Sequence, residues 1–220
     1  MMQQIAPMTR NILIVNLLVF VGQQLVPSLT SLLGLRFFTA DLFEPYQLLT
    51  HMFAHAGLWH LFGNMFSLFI FGSALEETWG AKRFLIFYLI TGFGASLLFQ
   101  AVNGWEIEQL RQELTPYLSD PKAAAYLYQR ENLPVLGASG AVFGILMAFA
   151  MLYPNVRLML LFPPIPIKAK YFVALYGAYE LYATIQANPG DNVAHLAHLG
   201  GMLFAFILVK LWQHNSRSYY

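Results

Sequence analysis

"LPVLGASGAVFGILMAFAMLY", residues 133–153, sets Ser139 between Gly137 and Gly140 just where a long apolar run begins. From position 136 the run reads as a membrane crossing, which takes about 20 apolar residues. A small, glycine-flanked hydroxyl at the mouth of such a span needs a chemical reason. The rest of the chain has the same character: hydrophobic residues make up 58% and charged ones 10%, against roughly 45–50% and about 25% in soluble domains. So few charges cannot cover so much apolar surface in water, and the composition predicts an integral membrane protein.

The charges fall into gaps between apolar runs. The gaps delimit six predicted spans at about 12–33, 58–79, 84–102, 136–153, 171–187 and 193–212, within one membrane domain over 1–220. The first run is too long for the apolar core of a signal peptide and counts as a span. There is no cysteine, so no disulfide or thiolate chemistry is available. Arg10, Lys82, Arg83, Arg157, Lys168, Lys170, Lys210 and Arg217 lie at alternate ends of the spans, and the loops on the other side hold Asp41, Glu44, Glu106, Glu108, Glu113, Asp120, Glu131 and Asp191, diluted by Arg36, Arg111, Lys122 and Arg130. The positive-inside bias then predicts that both termini are cytoplasmic. With net charge +1 and no basic tail, no nucleic-acid partner is expected.

Two outer loops are long. Residues 36–57 are too apolar for a free loop and too broken for a span. Irregular backbone survives at membrane depth only when buried in protein or lining a cavity, so an immersed, structured loop is predicted. Residues 103–132 are polar with a helical rhythm and predict one or two surface helices.

Three polar clusters open the even-numbered spans: "WHLFGN" at 59–64, "GASG" at 137–140 and "HLAHLGG" at 195–201. With the amino terminus inside, even spans all run from outside to inside, so the three clusters share one depth. His60 and Asn64 are four apart and share a helix face, as do His195 and His198, three apart. Gly140, Gly144 and Ala148 form one small-residue stripe, and Ala197, Gly201 and Ala205 another; such stripes let membrane helices approach closely. Facing stripes bring Ser139 within reach of His198.

A serine beside a histidine is the core of nucleophilic acyl transfer. The imidazole takes the hydroxyl proton as the oxygen attacks a carbonyl, then returns it to the leaving amine. His60, Asn64 and the backbone N–H of Ser139 are the candidate donors for the oxyanion. No intramembrane carboxylate is obviously placed to orient His198, which favours a dyad over a triad. Taken singly, each residue has a plainer reading: a serine at a glycine-rich helix start packs or caps, and a membrane histidine or asparagine bonds a neighbouring helix. "HLAHLGG" alone also fits a metal pair or a proton relay. Their joint occurrence at one depth favours catalysis.

With these residues in place, the chain resembles the rhomboid intramembrane serine proteases over essentially all six spans. "HLFGN" matches the family's H-x-x-x-N, "GASG" its G-x-S-G and "AHLGG" its A-H-x-x-G, in that order on spans two, four and six. The resemblance implies an all-α, six-helix rhomboid-like bundle that cleaves transmembrane segments of single-span membrane proteins near the outer face. It implies Ser139 as nucleophile, His198 rather than His195 as general base, and His60 and Asn64 as oxyanion stabilisers, with no metal or cofactor. His195 is then a helix-start residue facing water or a loop. Two positions depart from the family: Tyr46 and Gln47 follow Pro45 where Trp-Arg is common, and Phe143 replaces a tyrosine that stacks on the histidine.

Glu180, the acidic residue deep in a span, is read as a structural partner for a tyrosine or a backbone group, with substrate entry as the alternative. His51 and His55 are four apart but sit in an aromatic loop, and metal binding there is the weaker reading. "NPGD" supplies Asp191 near a span start without a second intramembrane aspartate, and no H-E-x-x-H occurs. Two rival functions remain: a client-binding protein of rhomboid type without proteolysis, and a small transporter using His60, His195 and His198. The short termini set the expectation of a bacterial inner (cell) membrane.

Overall fold

The computed structural model describes residues 5–159, 164–186 and 193–217. Asp191, the "NPGD" run and Ala187, the expected end of span five, lie outside the described residues. The described residues are predominantly helical. Helix α1 is Pro7–Leu25, α2 Ser28–Leu33 and α3 Gln47–Thr50; α4 (Leu58–Ser67) continues through a π-helical segment, Leu68–Gly72, into α5 (Ser73–Trp79). Helix α6 is Ala81–Leu114, α7 Pro121–Glu131, α8 Ser139–Leu152, α9 Ala169–Gln186 and α10 His195–Arg217. A small antiparallel ribbon, β1 (Arg157–Met159) with β2 (Pro166–Lys168), joins α8 to α9 and pairs Leu158 with Ile167.

Among the described residues, four helices are long and apolar enough to cross a membrane: Pro7–Leu25, Leu58–Trp79, Ala81–Tyr117 and His195–His214. They turn apolar faces outward, with Leu18, Trp59, Phe62 and Leu203 exposed and Trp59 as much as 83% exposed. Water would not tolerate that surface; lipid does.

Three expected spans differ in detail. The first breaks at Pro27, whose ring removes a backbone donor and disfavours helical backbone in Val26, found at φ −132°, ψ 87°. The third runs on to Leu114, because Gly104 admits the Phe37 ring and Ile107 joins Phe37 and Ala40 in a small second core. Arg111 then ties this extension to α7 through Glu131 at 2.7 Å. The fourth is shorter than expected. Helix α8 has 14 residues, about 21 Å at the usual rise, because the chain before it is extended: Val135 bridges to Leu35, and the Gly137 N–H donates to His51 O at 2.9 Å.

Helix α8 is apolar on every side and packs chiefly against α10 and α6, which makes it the centre of the bundle. Ala95 and Gly92 of α6 and Gly200 and Gly201 of α10 keep these axes close. A Cβ at Gly201 would lie 1.8 Å from Gly140 O, so the two predicted stripes do meet there. Gly144, by contrast, faces Thr91 of α6.

The loop between α2 and α4 is built from its own hydrogen bonds. Gln47, 1% exposed, accepts from Arg36 N and donates to Leu32 O and Leu42 O, while Gln100 of α6 donates to Arg36 O at 2.6 Å. The glutamine that departs from the family pattern thus serves as an internal brace.

Glu76 braces the opposite end. Its carboxylate accepts from Met8 N (2.8 Å), Thr9 N (2.6 Å) and Thr9 Oγ1 (2.8 Å), capping α1, which has no side-chain cap of its own. Three donors on one buried carboxylate at a helix N-terminus are worth about 3 kcal/mol together. Glu76→Gln, which swaps one acceptor oxygen for a donor, is expected to lower stability by about that amount. Unfolding titration in mixed detergent micelles, comparing midpoints of wild type and variant, checks this.

Candidate active site

Ser139 is the first residue of α8, and its position follows from Gly137. That glycine has φ +129°, a conformation closed to other residues without strain. A Cβ there would also lie 2.7–2.8 Å from the His60 ring and 3.6 Å from Ser139 Oγ. The bare glycine is what lets the His60 ring lie close to the serine hydroxyl. The helix start leaves its first N–H groups without intrahelical partners, and Ala138 offers no side-chain cap.

His198 lies in the first turn of α10. Its Nε2 is 2.9 Å from Ser139 Oγ, the distance of a hydrogen bond. Phe143, one turn along α8, stacks on the imidazole with ring centroids 4.1 Å apart and planes within 7°. The phenylalanine that replaces the family's tyrosine therefore keeps the stack.

The other nitrogen of His198 has a partner the sequence reading did not supply. Nδ1 is 2.9 Å from Glu180 Oε2 on α9, and His195 Nδ1 approaches the same oxygen at 2.5 Å. Glu180 is 2% exposed and His195 8%. Two expectations are corrected by this geometry: His195 is buried against a carboxylate instead of facing water or a loop, and a buried carboxylate does contact His198. Glu180 partners two histidines in place of a tyrosine. These three side chains bring metal-type donors within 4.8 Å of one another, but their mutual distances are those of hydrogen bonds, and both Nδ1 atoms are engaged on the carboxylate.

His60 and Asn64 lie on one face of α4, as their spacing requires. Asn64 is buried, with one amide N–H on His60 O at 3.0 Å. A cavity of about 20 Å³ sits beside Ser139, lined by His51, Gly137, Gly140 and Ala197; it has room for one water molecule.

His51 and His55 sit in different surroundings. His51 Nδ1 is engaged by Gln47 O at 2.8 Å, and the His55 ring meets the His60 ring edge-on at 5.1 Å. Burial lowers His51 to about 4 against the opposing pull of the Gln47 carbonyl; burial and then the neighbouring His60 lower His55 to about 4. Both rings stay neutral in the fold while an unfolded chain protonates them near 6.5. Stability is therefore present above about pH 6.5 and is lost as pH falls toward 4, at about 1.4 kcal/mol per pH unit for each ring. Thermal unfolding in detergent from pH 7 to pH 4 checks this, and His51→Gln should flatten the slope.

The chain has relatives. Residues 42–214 match the rhomboid domain. The chain is 30% identical over 155 residues to "Rhomboid protein 1, mitochondrial" of Saccharomyces cerevisiae, covering 70% of this chain and 38% of that protein. It is 31% identical over 166 residues to "RHOMBOID-like protein 1" of Arabidopsis thaliana, covering 75% and 34%, and 30% identical to that plant's "RHOMBOID-like protein 6, mitochondrial", covering 75% and 43%. The chain spans about a third to a half of the length of the curated relatives it matches. Several of those names point to organelles, so the expectation of a bacterial inner membrane gains no support from them. Matched domain and apolar helices agree: the chain is an integral membrane protein and belongs to the rhomboid family.

Proposed function

We propose that this protein is an intramembrane serine endopeptidase that cleaves transmembrane segments of single-span membrane proteins near the outer face of the bilayer. The observation that carries the reading is the 2.9 Å approach of His198 Nε2 to Ser139 Oγ between two membrane-type helices. In this account α8 and α9 join the four long helices as the fifth and sixth membrane elements of one domain. Both termini are cytoplasmic, and the loop between α2 and α4 is immersed in the outer leaflet.

His198 takes the Ser139 proton as Oγ attacks the scissile carbonyl. The negative oxygen that forms is held by the Ser139 backbone N–H, the His60 ring and the Asn64 amide. His198 then protonates the leaving amine, and water attacks the acyl-enzyme to regenerate the serine. No metal or cofactor takes part.

A substrate helix hides its carbonyls in i→i+4 hydrogen bonds, so cleavage requires local unwinding. Substrates with Gly or Pro near the outer end of the span are expected to be cut at least tenfold faster than the same protein with a poly-leucine span. Equal rates would remove the unwinding step from the account. The function itself is tested by incubating the purified chain in detergent with a tagged single-span protein, alongside Ser139→Ala and His198→Ala. Cleavage by wild type and by neither variant supports proteolysis; binding of the tagged protein without cleavage by any form supports a client-binding role.

A further inference from the structure

We propose that Glu180 is a positioning residue for His198, and that His195 holds the Glu180 carboxylate in place for that purpose. This rests on the reading of Ser139 and His198 as nucleophile and base. For Nε2 of His198 to accept the serine proton, the ring must carry its own proton on Nδ1. Glu180 Oε2 lies 2.9 Å from that nitrogen, and an ionised carboxylate offers acceptors only, so it fixes this tautomer. Phe143 holds the ring plane while Glu180 holds its rotation, and together they point Nε2 at Oγ.

A carboxylate 2% exposed among membrane helices needs more than one partner to remain charged. His195 supplies the second: its Nδ1–H donates to the same oxygen at 2.5 Å. The spacing explains both roles, because residues three apart at the start of α10 present two imidazoles to one point on α9. When His198 becomes an imidazolium, Glu180 stabilises it at short range where water cannot screen. The Nδ1 proton stays on the ring throughout; only the Ser139 proton moves, to Nε2 and then to the leaving amine.

Among the described residues, Glu180 of α9, His195 of α10 and His60 of α4 are titratable groups near His198, and Glu180 is the acidic one. Glu180→Gln keeps the side-chain shape but loses the charge. It is expected to lower kcat about a hundredfold with KM little changed. Glu180→Asp, which keeps the charge on a shorter side chain, should restore part of kcat. His195→Leu, which removes one donor from Oε2 and leaves His198 on it, should lower kcat less than Glu180→Gln does.

A second readout needs no proteolysis. In the Ser139→Ala protein with labelled histidine, the His198 Nδ1 proton should resonate far downfield, and Glu180→Gln should abolish that shift. A Glu180→Gln enzyme with wild-type kcat, or an unchanged Nδ1 resonance, would overturn the proposal. So would activity abolished by a chelator, which would assign the three groups to a metal ion. If Ser139→Ala still cleaves substrate, the nucleophile assignment fails on its own, and the resonance experiment still decides the Glu180 contact.

Discussion

Ser139→Ala will reduce cleavage of a tagged single-span protein to background, a loss of about 10⁴-fold or more, with the fold unchanged. The size of the effect comes from the division of labour at the site. Among the described residues, Ser139 supplies the one nucleophile in contact with the imidazole, and that contact is 2.9 Å. Its side chain contributes little to packing, because it is small and only half-buried. His198→Ala should lose a similar factor, but with a cavity where Phe143 loses its stacked partner. The double variant should be no worse than either single one, since the two residues act as a unit. Rates from gel or fluorescence assays, with unfolding midpoints measured in parallel, separate chemistry from stability.

Gly201→Ala should have the largest structural effect. The added Cβ would lie 1.8 Å from Gly140 O, a backbone atom that can move only if α8 moves. Overpacking costs about 1–3 kcal/mol in ordinary cores and more where backbone must yield. In a membrane the loss is felt directly, because helices there associate through close packing and hydrogen bonds, without a hydrophobic drive. The same crossing sets the distance from Ser139 to His198, so activity should fall with stability. Gly63 offers the control: a Cβ there meets nothing within 4 Å, and Gly63→Ala should gain about 1 kcal/mol of helix propensity. Unfolding midpoints and cleavage rates of the two variants check both statements.

Much of the candidate site was legible because chemistry and topology agreed. Polar residues at the mouths of apolar runs, plus the parity of those runs, put His60, Ser139 and His198 at one depth. The stripe through Gly201 located the crossing that joins the last two. Glu180 was visible as an acid deep in a span, but its partner was not: nothing in the spacing of α9 says which of its faces turns to α10. His195 was misjudged for the same reason, since an i, i+3 pair shares a face without revealing what lies opposite. The fold differed where local backbone overrode apolar pattern. Pro27 ends α1 early, Gly137 and the bridge at Val135 shorten α8, and Phe37 against Gly104 draws α6 beyond the apolar run. Each is a contact with a sequence-distant residue or a single-residue backbone effect, and hydropathy reads neither.

The most direct test is independent of substrate identity. A fluorophosphonate probe reacts with a serine only where a base raises its nucleophilicity and an oxyanion pocket receives the product. Incubating the purified protein with the probe, then mapping the adduct by mass spectrometry, should place it on Ser139 in the wild type and show none in His198→Ala. An adduct on another residue, or equal labelling of Ser139 without His198, would contradict the account.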